Sequence, residues 1–189
     1  MSDSRLERRF LRAPLKSTAL YADGEHVFRA SVLNISQGGI LLSELPHIPD
    51  AKVLSAAVSL IEYPKFQGMS AEEVKQLSID DFPRKILKTS IKIMRSFENQ
   101  SNVDRVFINY IGCEFENIET DSKTEILRYV DGFTKNTVYL LSLFESLGSK
   151  VEQLETLRTL AHLMGYDRRM KVPLLRAKVL HDYQSLESM

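Results

Sequence analysis

The chain has 189 residues, and its 25 lysines and arginines balance 25 aspartates and glutamates, so its formal net charge is zero. No global field draws such a protein onto nucleic acid or an anionic membrane, and any anion site has to be local. One cysteine, Cys113, excludes an intrachain disulfide, and no apolar run approaches the ~18 residues of a membrane span, so a soluble chain that buries its own core is expected.

The chain opens with an arginine cluster, ERRFLR at residues 7–12, which puts Arg8, Arg9 and Arg12 within five positions. A twin-arginine export signal would continue as an uninterrupted apolar region; here APLKSTALYADGEHVFR follows, with charges and a turn, and the reading is cytoplasmic. Leu15 to Tyr21 and His26 to Leu33 are rich in β-branched and aromatic residues, and Asp23-Gly24 between them is a hairpin signal. ILLSEL after SQGG, and AKVLSAAVSLI after LPHIPD, are short and apolar enough for two more strands. Residues 63–85 interrupt the pattern as an inserted loop, in which Ser70 and Glu73 have capping-box spacing and predict one short helix. Asp80-Asp81 before Phe82-Pro83 reads as a turn or cap rather than a catalytic pair.

Strand character returns with ILKTSIKIMRSF, where Leu87, Thr89, Ile91 and Ile93 alternate with Lys88, Ser90 and Lys92. After the polar turn ENQSN, Val103, Phe107, Ile111, Cys113 and Phe115 share one parity, which makes Cys113 a buried structural thiol rather than a nucleophile. About six short strands with turn chemistry between them predict a small barrel or sandwich.

The last third is helical. Ser122 and Glu125 form a capping pair by spacing, and Ile126, Val130, Phe133, Thr137, Leu140, Phe144 and Leu147 then step by four and three over about six turns. Gly148 is the expected C-cap, and Ser149 with Glu152 starts a second helix through Leu154, Leu157, Ala161 and Met164, which Gly165 ends. A third is expected to begin at Pro173 and run through Leu175, Val179, Tyr183 and Leu186. The expected division is a barrel with its arginine segment over residues 1–120 and a helical extension over residues 121–189. The stripe from Ile126 to Leu147 suits packing within the chain and a seam between copies equally, with Thr137 either setting register or marking an exposed edge.

Arginine suits bidentate recognition of phosphate and of the O6/N7 edge of guanine, so Arg8 and Arg12 form a candidate clamp. Twenty-two residues beyond Arg12, NISQGG offers Asn34 and Ser36 on alternate positions, hence on one face of an extended segment, followed by Gly38 and Gly39 where backbone can approach closely. Phosphate and guanine donors, a short amide and a hydroxyl make a guanine-nucleotide site.

Arg8-x-x-x-Arg12 followed by Asn34-x-Ser36-x-x-Gly39 resembles the paired motif of PilZ domains, the bacterial receptors for cyclic di-GMP, and the likeness runs from about residue 5 to residue 120. The resemblance implies a six-stranded β-barrel, mainly β with an α extension here. It implies that Arg8 and Arg12 hold the phosphates and guanine of the ligand, that Asn34 and Ser36 hydrogen-bond guanine, and that Gly39 is conformational. It further implies a non-enzymatic receptor whose arginine segment orders on the nucleotide and signals to a protein partner, or self-associates, through the helices. Residues 1–12 carry only Leu6, Phe10 and Leu11 as large apolar groups and are expected to be mobile without ligand.

Other chemistries find little footing. His26, His47, His162 and His181 have no ligand spacing, and there is no Walker loop, nucleophile elbow or Cys/His cluster, so no catalysis, metal or cofactor is expected. Two rival readings remain at this level: an adaptor of the same fold acting through its helices without ligand, and a nucleic-acid-binding barrel. Zero net charge and the lack of a basic stripe argue against the second.

Overall fold

The structure, a computed structural model, describes residues 10–100, 107–147 and 151–187. The alternating segments form six strands: β1 (Ala13–Asp23), β2 (His26–Ile35), β3 (Gly39–Leu45), β4 (Val53–Ile61), β5 (Arg84–Gln100) and β6 (Phe107–Glu116). They close into an antiparallel barrel in the order β1-β2-β3-β6-β5-β4, with β4 pairing back onto β1. Four helices accompany it among the described residues: α1 (Ala71–Gln76) in the insertion, then α2 (Thr120–Glu145), α3 (Val151–Leu163) and α4 (Val172–Glu187). The architecture is therefore mainly β with an α extension, as expected. Arg8, Val103, Gly148 and Ser149 lie outside the described residues, and α2 is capped at Ser146, two residues before the expected Gly148.

Inward positions carry the apolar parity. Leu15, Ile35, Leu42, Ile91 and Ile111 are fully excluded from water, and burying such a side chain contributes roughly 1.5–3 kcal/mol. Cys113 shares this interior at 7 % exposure, and burial pushes its thiol up from 9.0 to about 12. The folded thiol stays neutral where an unfolded one ionises, so this group contributes no pH dependence below its ordinary value and destabilises the fold as pH rises from 9.0 toward about 12. At about pH 8, alkylation of Cys113 should proceed at the unfolding rate; rapid labelling of the native protein would contradict its burial.

Two features of the β1–β2 connection and of α2 differ from expectation. Asp23 and His26 pair, so the hairpin's central residues are Gly24-Glu25 rather than Asp23-Gly24, with Gly24 alone adopting a positive φ of 61°. Helix α2 is capped three residues before Ser122: its N-cap is Glu119, which makes no side-chain capping bond. Ser122 and Glu125 lie inside the helix, where Glu125 accepts instead from Lys85 and Arg128, each at 2.7 Å. The same spacing works in the insertion, where Ser70 Oγ accepts from Glu73 N–H at 3.2 Å and Glu73 Oε2 from Ser70 N–H at 2.7 Å. Helix α4 begins at Val172, setting Pro173 at its second position. Gly165, φ 89°, ends α3 with paired bonds, Gly165 N–H to His162 O and Tyr166 N–H to Ala161 O.

The apolar stripe of α2 packs within the chain. Ile126, Val130, Phe133 and Leu140 are buried, and Thr137 is fully buried, not an exposed edge, with its hydroxyl donating to Phe133 O at 2.8 Å. Tyr129 and Phe133 join Tyr63, Phe66 and Phe82 of the insertion in an aromatic cluster with ring centroids 5.9 to 6.4 Å apart. A polar residue on that stripe, Asn136, sews the insertion to the helix: its amide donates to Pro64 O at 2.9 Å and accepts from Phe66 N–H at 3.1 Å.

Candidate functional site

The strand register brings the two half-motifs together at one end of the barrel. Pro14 pairs with Asn34 and Ala13 with Ile35, so Arg12, one step before the ladder, stands at the level of Ser36. Ile35 is fully buried, which sets Asn34 on the outer side of β2, and Ser36 follows the end of the strand in the β2–β3 turn. Register shifts flank Asn34 on both neighbours, between Pro14 and Ser17 toward β1 and between Val32 and Asn34 toward β3. Bulges of this kind re-aim a side chain and twist the local edge. Arg12 is exposed, Asn34 half-buried, and Ser36 buried at 5 % exposure with its hydroxyl 3.4 Å from Gly39 O. That long bond leaves the hydroxyl able to turn toward a stronger acceptor.

The turn between β2 and β3 is closed by Ser36 N–H donating to Gly39 O at 2.9 Å and Gly39 N–H to Ser36 O at 3.4 Å. Gly39 is sterically required. A Cβ on Gly39 would sit 2.1 Å from the carbonyl oxygen of Cys113, because β3 runs hard against β6 there. A Cβ on Gly38 would sit 2.7 Å from Cδ2 of Phe10, whose ring covers that glycine. Phe10 thus lies on the motif turn, a contact that residue pattern alone does not reveal. Gly38 O in turn accepts from Phe115 N–H at 3.0 Å, tying the turn to the strand that leads into α2.

Helices meet the same region from the other side. The Tyr129 hydroxyl of α2 donates to Pro14 O, the carbonyl of the residue that pairs with Asn34. Burial drives the Tyr129 hydroxyl well above its ordinary pKa, so it remains a donor throughout the physiological range. Lys16 of β1 donates to Gly165 O, after the end of α3, and its ammonium lies 5.8 Å above the Tyr166 ring. The start of β1 is therefore fastened to both the motif and the helical layer. Neither bond was visible in the sequence, since each joins residues more than a hundred positions apart.

Among the described residues no three His, Cys, Asp or Glu side chains converge as a metal site. All four histidines are exposed; His47 pairs with Asp23 at 3.1 Å at the opposite end of the barrel. A cavity of about 290 Å³ between β4, the insertion and α2 carries Lys85, Arg128 and Lys135, but each is neutralised by Glu125 or Asp131. No helix is long and apolar enough to cross a membrane.

A family model described as the PilZ domain matches residues 6–132 of the chain. Among solved structures, the Bacillus subtilis inhibitor of motility (MotI/DgrA) is 15% identical with a TM-score of 0.45, covering 65% of this chain and 48% of that one. The PilZ domain of YcgR from Escherichia coli with c-di-GMP is 12% identical with a TM-score of 0.43, covering 64% and 86%. The K. pneumonia MrkH–c-di-GMP complex is 16% identical with a TM-score of 0.43, covering 74% and 53%. The chain spans about half the length of the inhibitor of motility and of MrkH. No curated protein matches it in sequence.

Proposed function

The chain belongs to the PilZ domain family, and from that premise we propose that it is a non-enzymatic, cytoplasmic receptor for cyclic di-GMP that signals through its helices. The observation that carries the reading is the Pro14–Asn34 pairing, which sets Arg12 beside Asn34 and Ser36 at one end of the barrel. Arg12, together with Arg8, supplies charge-assisted, bidentate bonds to phosphate and to guanine O6/N7; Asn34 and Ser36 supply the amide and hydroxyl that read guanine. Gly39 keeps β3 close enough to β6 for the turn to hold its shape. No cofactor or nucleic acid polymer enters this reading.

Binding energy reaches the helices by ordering. Fixing Arg12 on the nucleotide restrains the start of β1, and the Tyr129–Pro14 and Lys16–Gly165 bonds pass that restraint to α2 and to the turn after α3. A protein partner, or a second copy, then reads residues 121–189, where Leu127, Val138, Leu174 and Leu180 stand exposed. Hydrogen exchange with and without cyclic di-GMP tests the reading. Protection should rise at residues 10–14 and 34–39, with a smaller change in α2. No change at 34–39 under saturating nucleotide would overturn the site; a response there with α2 silent would overturn the helices as output.

A further inference from the structure

The antiparallel ladders define a row of residues across the outer barrel face that begins at the motif. Asn34 of β2 pairs with Leu41 of β3, Leu41 with Gly112 of β6, and Gly112 with Arg95 of β5. Strands lie about 4.8 Å apart, so Arg95 is rooted three strand spacings, roughly 14 Å, from Asn34. Its side chain does not point away. A Cβ on Gly112 would sit 2.9 Å from Nε and 3.0 Å from Cγ of Arg95, so the arginine lies flat across the glycine, back toward β3. Its Cζ stands 5.6 Å over the ring of Phe97, and Phe97 is stacked on Tyr110 at 5.0 Å with an interplanar angle of 1°.

Three features distinguish this guanidinium from an ordinary surface arginine. It is exposed yet held by a glycine floor and an aromatic wall, so fixing it on a ligand costs less side-chain entropy than usual. It has no carboxylate partner among the described residues, whereas Arg128 and Lys85, for example, share Glu125. Between it and Asn34 lie only Leu41, half-buried, and Gly112, which together form a low apolar floor suited to the face of a base.

We infer that Arg95 is a further ligand-binding residue, which closes the far side of the nucleotide site and donates to a phosphate or guanine edge of the same cyclic dinucleotide held by Arg12, Asn34 and Ser36. The inference rests on the cyclic di-GMP reading above. A ligand with two phosphates and two bases meets cations on both sides of the Leu41–Gly112 floor, and a mononucleotide reaches one.

Calorimetry with cyclic di-GMP on the full chain, comparing wild type, Arg95→Ala, Arg95→Lys and Arg12→Ala, tests it. Arg95→Ala should weaken affinity about tenfold or more, the size of one charge-assisted hydrogen bond, with the thermal midpoint unchanged. Arg95→Lys keeps the charge but loses the planar fork and should fall between, which also serves if the alanine variant folds poorly. Equal affinity of wild type and both Arg95 variants, with Arg12→Ala weakened, overturns the role of Arg95 and leaves the receptor reading standing. A lowered midpoint with unchanged affinity likewise overturns it. A wild type that takes up no cyclic di-GMP overturns both.

Discussion

Gly39→Ala should be the most destabilising single substitution in the motif. The added methyl would meet the Cys113 carbonyl oxygen at 2.1 Å and Glu114 Cα at 3.2 Å, both backbone atoms. Relief requires β3 to separate from β6 where Gly39 pairs with Glu114 and Ile40 with Cys113, in the closed wall of the barrel. Overpacking of this kind costs about 3 kcal/mol or more, and at this chain length each kcal/mol shifts the thermal midpoint by about 2–4 °C. Thermal or denaturant unfolding should therefore show a large loss. Gly132→Ala provides the contrast, because a Cβ there meets nothing within 4 Å and replaces a glycine inside a helix. It should stabilise by about 0.5–1 kcal/mol. Equal midpoints for the Gly39 variant and wild type would contradict the close approach of β3 and β6 at Gly39.

Arg12→Ala should abolish most of the affinity for cyclic di-GMP while leaving the fold intact. Its side chain is exposed and precedes the β1–β2 ladder, so removal opens no cavity. Hydrogen bonds to charged groups contribute about 1.5–3 kcal/mol each, and a guanidinium making two of them accounts for a loss of about a hundredfold or more. Arg9→Ala, one position off the motif spacing, should change affinity little. Equal losses in the two variants would show that the arginine register is misassigned.

The barrel was legible because its strands obey a two-residue period with one wet face, and Leu87, Thr89 and Ile91 against Lys88, Ser90 and Lys92 are enough to orient β5. The half-motifs were legible for a similar reason: their chemistry is carried by residue types at short spacings. Pairing between strands was not, since an extra residue in β1 between Pro14 and Ser17 decides that Asn34 rather than Ile35 faces Pro14, an extra residue at Leu33 decides that Asn34 rather than Leu33 faces Leu41, and no local pattern announces either. Periodicity also reports which face of α2 is buried without saying what covers it, so the seam from Ile126 to Leu147 suits a second copy as well as the Tyr63, Phe66 and Phe82 side chains that join Tyr129 and Phe133 in the aromatic cluster. Capping-box spacing predicted α1 correctly and misplaced the start of α2, where Ser122 and Glu125 lie inside the helix and Glu125 pairs with Lys85 at the start of β5. Arg95 shows the same limit in the candidate site. Its relation to Asn34 exists only through three successive ladders.

Titration calorimetry of the full chain with cyclic di-GMP, with GMP as the comparison ligand, tests the central claim most directly. The account predicts saturable binding of the cyclic dinucleotide, much weaker uptake of GMP, and loss of the signal when Arg12→Ala and Asn34→Ala are combined. A folded wild-type chain that takes up no cyclic di-GMP, or one whose affinity survives that double substitution, would contradict it.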